Sequence, residues 1–535
     1  MNQTKTAERI TIASLYAAGL VSALFLLFYN LDGRLLWGDE AETAVLARNV
    51  VRYGVPRTTD GRNHITLYSG NIDENQQHIW TWSPWLQEYV TAGSFFIFGP
   101  TTWASRAPFA LIACASLVLL TWMAYRIYGS HRVALGSALL LGTSEIFLLH
   151  ARQCRYYPVS IFCEILLVYG IYQLLAHDKK SVWTIASALI LQFYSNYMIA
   201  AANVPALLLF GWLLYRRKDP SALWIVKSLS ALAVAALPWL LYAKAWRQPG
   251  MLGGENLLNK LEYRVSEFHF HFLPLVIFLL PLLPRILPRA LQKNPANVAP
   301  TAGASVDPET KSGSITSLEW RLLWLLCLYL GVYLMMPGAN LRYFTAVLPV
   351  ACLLGSAWIF RYLRPSAIAY AVIALQCFTN VIAVATAYPL RGIHTFRAPL
   401  VDFVRGTADP YIDRTTEVVN FLNREAKPDD TLVVADPEFP LIFHTSLRIV
   451  DARFHHAGSV DALPEWILPE SPSSLLSQKP LEISGGLDLY YEPIVISVPD
   501  SLPTGVLPDP DFHQYYTASN RVPFTLYRKR SASAH

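Results

Sequence analysis

Two adjacent carboxylates, Asp39 and Glu40, follow directly on the first hydrophobic segment, in the stretch WGDEAETAVLARN. A carboxylate at the mouth of a membrane cavity can take the proton of an incoming hydroxyl, which is the work of a general base. The same residues also read as structure. Asp39 opens an amphipathic pattern, and Glu42 stands three residues later, the spacing of a capping box. The two readings are compatible, so the company these acids keep has to decide. Arg342, after the turn Pro337 to Asn340, and Arg155, in HARQCRYYP, bring planar guanidinium donors that suit a phosphate. Both also read as arginines snorkelling to a membrane surface. Arg152 is a weaker candidate of the same kind, and Arg106 reads as structural. Tyr156 and Tyr343, beside the two arginines, read either as part of a site or as aromatic-belt residues.

The elements that must position these residues are membrane spans. The chain has 535 residues, of which 53% are hydrophobic, 13% aromatic and only 15% charged. With a mean hydropathy of +0.31, this is the composition of a polytopic membrane protein. Lys5 and Arg9 precede an apolar run from Ile10 to Tyr29 with no small-residue cleavage site after it, so the run reads as a retained anchor. Further apolar runs bring the expected number of spans to about eleven, including a hairpin that turns near Ser195 and Asn196. The six cysteines lie in or beside these runs, so neither a disulfide framework nor a cysteine metal site is expected. A net charge of +5 is spread in short clusters between the runs, which is a topology signal and not a nucleic-acid patch.

With a cytoplasmic amino terminus, the basic clusters fall on the cytoplasmic side. The first loop (31–102), the turns bearing Arg155 and Arg342, and the tail then share the outer face. Residues 1–390 are expected to form the multi-span domain and 391–535 an extracytoplasmic α/β domain. In that tail, TTEVVNFLNREA reads as a helix, TLVVAD, YYEPIVISV and RVPFTLYRK read as strands, and Leu463 to Pro480 as loop. Ala290 to Ser317 reads as a flexible linker. Glu145 and Lys227 stand out as charges inside the expected spans, suited to helix packing or to an interior pair.

The blocks WGDEAETAVLARN, WSPWLQEYVTAGSFFIFGPTTWASRAPFALIA, HARQCRYYP and NLRYFTAVLPV together resemble the superfamily of protein O-mannosyltransferases and lipid A aminoarabinose transferases, membrane glycosyltransferases of the C-type (GT-C) fold. The resemblance runs from Trp37 to about Pro349. It implies inverting transfer of a sugar from a polyprenyl-phosphate donor to an acceptor on the outer face of the cell's inner membrane, the acceptor being a protein hydroxyl, lipid A or another glycolipid. Asp39 matches the family's catalytic carboxylate. Glu40 is assigned to the acceptor or to orienting partners, and Arg342 and Arg155 to the donor phosphate. Where relatives often carry a lysine before the prolines of the second amphipathic helix, this chain has Thr81, Trp82 and Ser83 before Pro84. His78 is a candidate substitute for the missing contact.

His64, Asp73, Glu74 and His78 could be written as a metal site, but their spacing matches no recognised coordination motif. No metal ligand is assigned and no cofactor is required, although a divalent ion would suit a phosphate leaving group. The competing reading is a transporter or flippase of a polyprenyl-linked lipid. Transporters usually place their polar residues at the midplane, in paired repeats with broken helices, whereas this chain gathers them at one face.

Overall fold

The computed structural model describes residues 2–67, 72–247, 257–283, 316–335, 341–387, 396–408, 412, 414–434, 438–451, 463–469, 487–497 and 524–530. The expected linker before Ser317, the turn Pro337 to Asn340 and most of the expected loop Leu463 to Pro480 lie outside them. Ten helices lead the chain: α1 (Asn2–Phe28), α2 (Gly38–Tyr53), α3 (Leu86–Phe98), α4 (Thr102–Tyr128), α5 (His131–Gly142), α6 (Glu145–Ala151), α7 (Tyr157–Leu175), α8 (Ser181–Ser195), α9 (Tyr197–Arg216) and α10 (Ala222–Ala243). Helices Leu257–Glu267, Ser317–Met335, Leu348–Tyr362 and Ser366–Phe378 follow.

Among the described residues the expected apolar runs are largely helical, because a helix satisfies its own backbone polar groups where lipid offers none. About eleven spans are expected from the apolar runs. By length and composition, six helices among the described residues can cross a membrane, or eight if two bent pairs each count as one span. The difference comes from breaks and short helices. Helices α5 and α6 meet at 66°, and the run from Arg264 to Leu282 bends by 91° at Leu273 and Pro274. α8 and Ser366–Phe378 are apolar but short. The chain is an integral membrane protein. The expected turn near Ser195 is a single residue, Asn196, whose extended backbone ends α8 and whose side chain caps α9 by accepting from Met198 N–H.

Charge inside the bundle departs from expectation. Glu145 pairs with Arg397 at 2.9 Å, not with Lys227, which is exposed on α10. A further acid was passed over: Glu164, midway along α7, is fully buried and accepts from Gln192 and Asn203, each at 2.8 Å. The donors reach it from α8 and α9, so one carboxylate ties the hairpin to α7. Close approach fixes another contact. A Cβ on Gly136 of α5 would lie 2.4 Å from Ser356 Oγ, so only glycine lets α5 meet the helix Leu348–Tyr362 this closely.

The carboxyl-terminal region holds a five-stranded sheet of β1 (Thr431–Val434), β2 (Arg448–Asp451), β3 (Trp466–Leu468), β4 (Tyr491–Ile496) and β5 (Phe524–Lys529), in the order β2-β1-β3-β5-β4. Strands β2, β1 and β3 are parallel, and β5 runs antiparallel to both β3 and β4. The expected helix is Arg414–Glu425. The reading of Leu463 to Pro480 as loop is corrected at its start. There Trp466, Ile467 and Leu468 form the central strand, buried because both neighbours cover it. One apolar core runs through this sheet and the first loop, joining Ala44, Val45, Ile65 and Trp80 to Leu432, Phe439, Ile449 and Leu468.

Candidate active site

Asp39 does not cap its helix. The N-cap of α2 is Trp37, with no side-chain cap bond, and Asp39 lies inside the first turn. Its carboxylate is held instead from two distant turns. Arg342 Nη1 donates to Asp39 Oδ2 at 2.9 Å, and Arg155 Nη2 stands 3.5 Å from the same oxygen. Glu42, expected to complete a capping box, instead takes Arg155 Nη1 at 2.9 Å, and Thr43 Oγ1 accepts from that nitrogen at the same distance. One turn of α2 therefore presents a carboxylate to the site at Asp39 and anchors the facing arginine at Glu42. Burial works against the charge of Arg155, but Glu42 and Asp39 outweigh it and hold the guanidinium well above its ordinary range.

Aromatic rings wall this centre. The Arg342 guanidinium lies over the rings of Trp37 and Tyr343, 5.6 and 5.7 Å from their centroids, and Arg155 lies 5.9 Å over Tyr156. Tyr156 and Tyr343 stack on each other with centroids 6.0 Å apart. Three donors remain buried without a hydrogen-bond partner: Arg155 Nε, Arg342 Nε and Tyr157 Oη. Tyr157 lies within electrostatic reach of Arg342, Asp39 and Arg155. Buried donors left open are costly unless something fills them. A set of this sign suits an anion. The carboxylate keeps an outlet, since the Asp39 side chain is 29% exposed while Glu42 is 2% exposed.

Glu40 faces the other way. It is fully buried, and Arg106 grips it through Nε at 2.8 Å and Nη2 at 2.6 Å, while Cys154 N–H donates to Oε1 at 2.8 Å. It cannot meet an acceptor there, so of its two expected roles only the orienting one is compatible with its place. Arg106 also binds the carbonyls of Leu31, Arg34 and Leu35, so the whole link from α1 to α2 is wound around one guanidinium. Arg152 is structural too, donating to the carbonyls of Tyr29 and Asn30 and to Thr407 Oγ1. Beneath the site, Glu88 on α3 is wholly buried, and burial pushes its carboxyl up to about 8.

His78 lies apart from this centre's contacts, bonded to Glu74 at 3.0 Å. Of the four residues written as a metal site, His64, Glu74 and His78 come together with ligand atoms all within 4.8 Å of one another. Asp73 turns away to take Thr66 Oγ1 and the Leu67 N–H. Sequence reading missed the roles of Glu42 and Tyr157. The signal available was their spacing, one turn after Asp39 and directly after Tyr156.

No family model matches the chain. An uncharacterised protein of Aquifex aeolicus (strain VF5) is 26% identical over 269 residues, 49% of this chain and 51% of the relative, so the chain spans about half of that relative's length. Among solved structures, ArnT from Cupriavidus metallidurans superposes with a TM-score of 0.53 at 14% identity, covering 82% of this chain and 86% of ArnT. The same protein bound to undecaprenyl phosphate gives 0.52 at 13% identity, over 83% and 86% of the two chains. The arabinofuranosyltransferase AftD from Mycobacteria gives 0.51 at 12% identity, over 98% of this chain and 40% of AftD. The likeness is one of fold: over most of its length the chain shares the fold of ArnT, the GT-C fold expected from its sequence.

Proposed function

We propose that the protein is an inverting glycosyltransferase that moves a sugar from a polyprenyl-phosphate donor to an acceptor on the outer face of the cytoplasmic membrane. The observation that carries this reading is one carboxylate, Asp39, held at 2.9 Å by Arg342 beside buried donors without partners. The ArnT structure that holds undecaprenyl phosphate has the same fold, which supports a lipid of that chemistry.

The chemistry follows from charge. Without donor, Arg342 neutralises Asp39. The donor phosphate competes for Arg342 and Arg155, and the open Nε donors and Tyr157 Oη complete its shell. Asp39 is thereby released to accept the acceptor's proton. The acceptor oxygen bonds to the anomeric carbon from the face opposite the phosphate. The carbon–oxygen bond to phosphate breaks with its electron pair going to the phosphate oxygen, and polyprenyl phosphate leaves. Two arginines supply the positive charge, so the reading requires no cofactor.

The test is sugar release from a panel of radiolabelled polyprenyl-phosphate sugars by purified protein in lipid, with wild type and Asp39→Asn side by side. Turnover of one donor that depends on Asp39 is expected. Donor movement across the bilayer without release of sugar would replace the transferase with a flippase.

A further inference from the structure

We propose that His64, Glu74 and His78 form a site for one divalent cation of the zinc class, which ties the first loop together at its contact with the sheet. The three residues come from two segments that only the fold brings together. Short bridges pair Thr59 with His64, Arg57 with Ile79 and Glu74 with Trp80, so the two segments lie side by side.

Both imidazoles converge on one carboxylate, with ligand atoms of the three residues all within 4.8 Å of one another. Three donors converge on the single oxygen Glu74 Oε2: Thr58 Oγ1, His64 Nε2 at 3.0 Å and His78 Nδ1 at 3.0 Å. His64 Nε2 also lies 3.1 Å from Glu74 Oε1, so both imidazoles face one carboxylate. A nitrogen–oxygen separation near 3 Å is also the edge of a coordination polyhedron whose bonds are about 2.0–2.2 Å long. The two imidazole rings stand 89° apart with centroids at 5.5 Å, so their nitrogens approach Glu74 from different sides.

His78 reaches this position through a left-handed backbone, φ +56°, in a residue that is not glycine. Such a conformation costs on the order of 1 kcal/mol and needs a compensating contact. Glu74 is 7% exposed while the His64 and His78 side chains are 36% and 51% exposed, a buried anion behind two part-exposed imidazoles. Two imidazoles and one carboxylate are a donor set of zinc sites that keep a position for water.

The place of the site gives its role. Asn63, beside His64, accepts the N–H of Ile449 in β2, and Trp80, two residues after His78, is wholly buried in the core shared with the sheet. A cation here fixes both segments of the loop against the sheet edge. It is independent of Asp39 and of the transferase reading.

The experiment uses the full chain in detergent, stripped with chelator and titrated with zinc sulfate by calorimetry at neutral pH. Wild type and Asp39→Asn should each bind one equivalent, and Glu74→Gln and the double variant His64→Ala/His78→Ala should bind at least tenfold more weakly. Cobalt replacement in wild type should give the visible absorption of a low-coordinate ion with imidazole ligands, a readout that stands even where a variant does not fold. Absence of binding by wild type, binding unchanged in both variants, or a cobalt spectrum of the hydrated ion would each overturn the proposal.

Discussion

Asp39 Oδ2 and Arg342 Nη1 lie 2.9 Å apart although 303 residues separate them in sequence. The pair joins the first turn of α2 to the start of the span Arg342–Tyr362. The base and the anion-binding group of the proposed reaction therefore share one contact, and each can be released only when something takes the other.

Asp39→Asn keeps the shape and removes the base. Turnover should fall about 10²- to 10⁴-fold, the usual contribution of a general base. Expression should stay near wild type and donor binding should not weaken, since the carboxylate that competes with the phosphate for Arg342 is gone, with donor binding read by equilibrium partition into proteoliposomes. Retained turnover would remove the catalytic assignment.

Arg342→Ala removes a charge-assisted donor, worth roughly 1.5–3 kcal/mol, so donor affinity should weaken about tenfold or more. Arg342→Lys should recover only part of it, because an ammonium lacks the planar fork. Unchanged donor affinity in the alanine variant would make Arg342 an interfacial anchor only.

Glu42→Gln leaves Asp39 and both arginines in place but removes the ionised anchor of Arg155. Donor affinity should weaken about tenfold, on the scale of one hydrogen bond to a charged group. Glu42→Asp should sit between the two. A loss of thermal stability with unchanged donor affinity would give Glu42 a structural role alone.

Arg106→Met strands a buried carboxylate at Glu40. Breaking one side of a buried pair costs about 3–5 kcal/mol, so a large fall in Tm is expected in detergent. Adding Glu40→Leu to make the double variant should restore much of it, since an apolar pair of similar volume is often neutral. A single variant as stable as wild type would show that the link is held elsewhere.

His444 sets an acid limit. Its Nε2 accepts the N–H of Leu36 at 3.2 Å, and burial, together with Arg106 and Arg48, lowers its pKa to about 4. A base with a depressed folded pKa stays neutral in the fold while the unfolded chain takes up a proton. Stability is therefore unaffected above the ordinary histidine value and is lost as pH falls from about 6.5 towards 4, by roughly 3 kcal/mol at the lower end. His444→Gln should flatten that slope in melts recorded between these limits.

The apolar runs were legible because lipid demands contiguous apolar residues, and the strands TLVVAD, YYEPIVISV and RVPFTLYRK were legible by their β-branched runs. β3 was not, since three residues beside Pro464 and Pro469 read as loop until two neighbouring strands cover them. Glu164 was missed because a lone acid inside an apolar run gives no sign of partners that stand 28 and 39 residues further on. The Asp39 centre was readable in outline from residue type and resemblance. The difference between Asp39, turned to the site, and Glu40, turned to Arg106, depends on contacts 66 residues away that spacing cannot encode.

The core shared by the first loop and the sheet has a mechanical consequence. Stitches between the two occur early, in the middle and late along the loop's first half: Leu36 N–H to His444, Arg48 to the Ile442 carbonyl and Asn63 to the Ile449 N–H. With Arg62 also bound to the Ser446 carbonyl and to Asp429, a roof fastened along its length moves as one plate and does not peel back like a flap. For the lipid donor of the proposed reaction, such a roof favours entry sideways between helices, within the plane where its apolar chain travels.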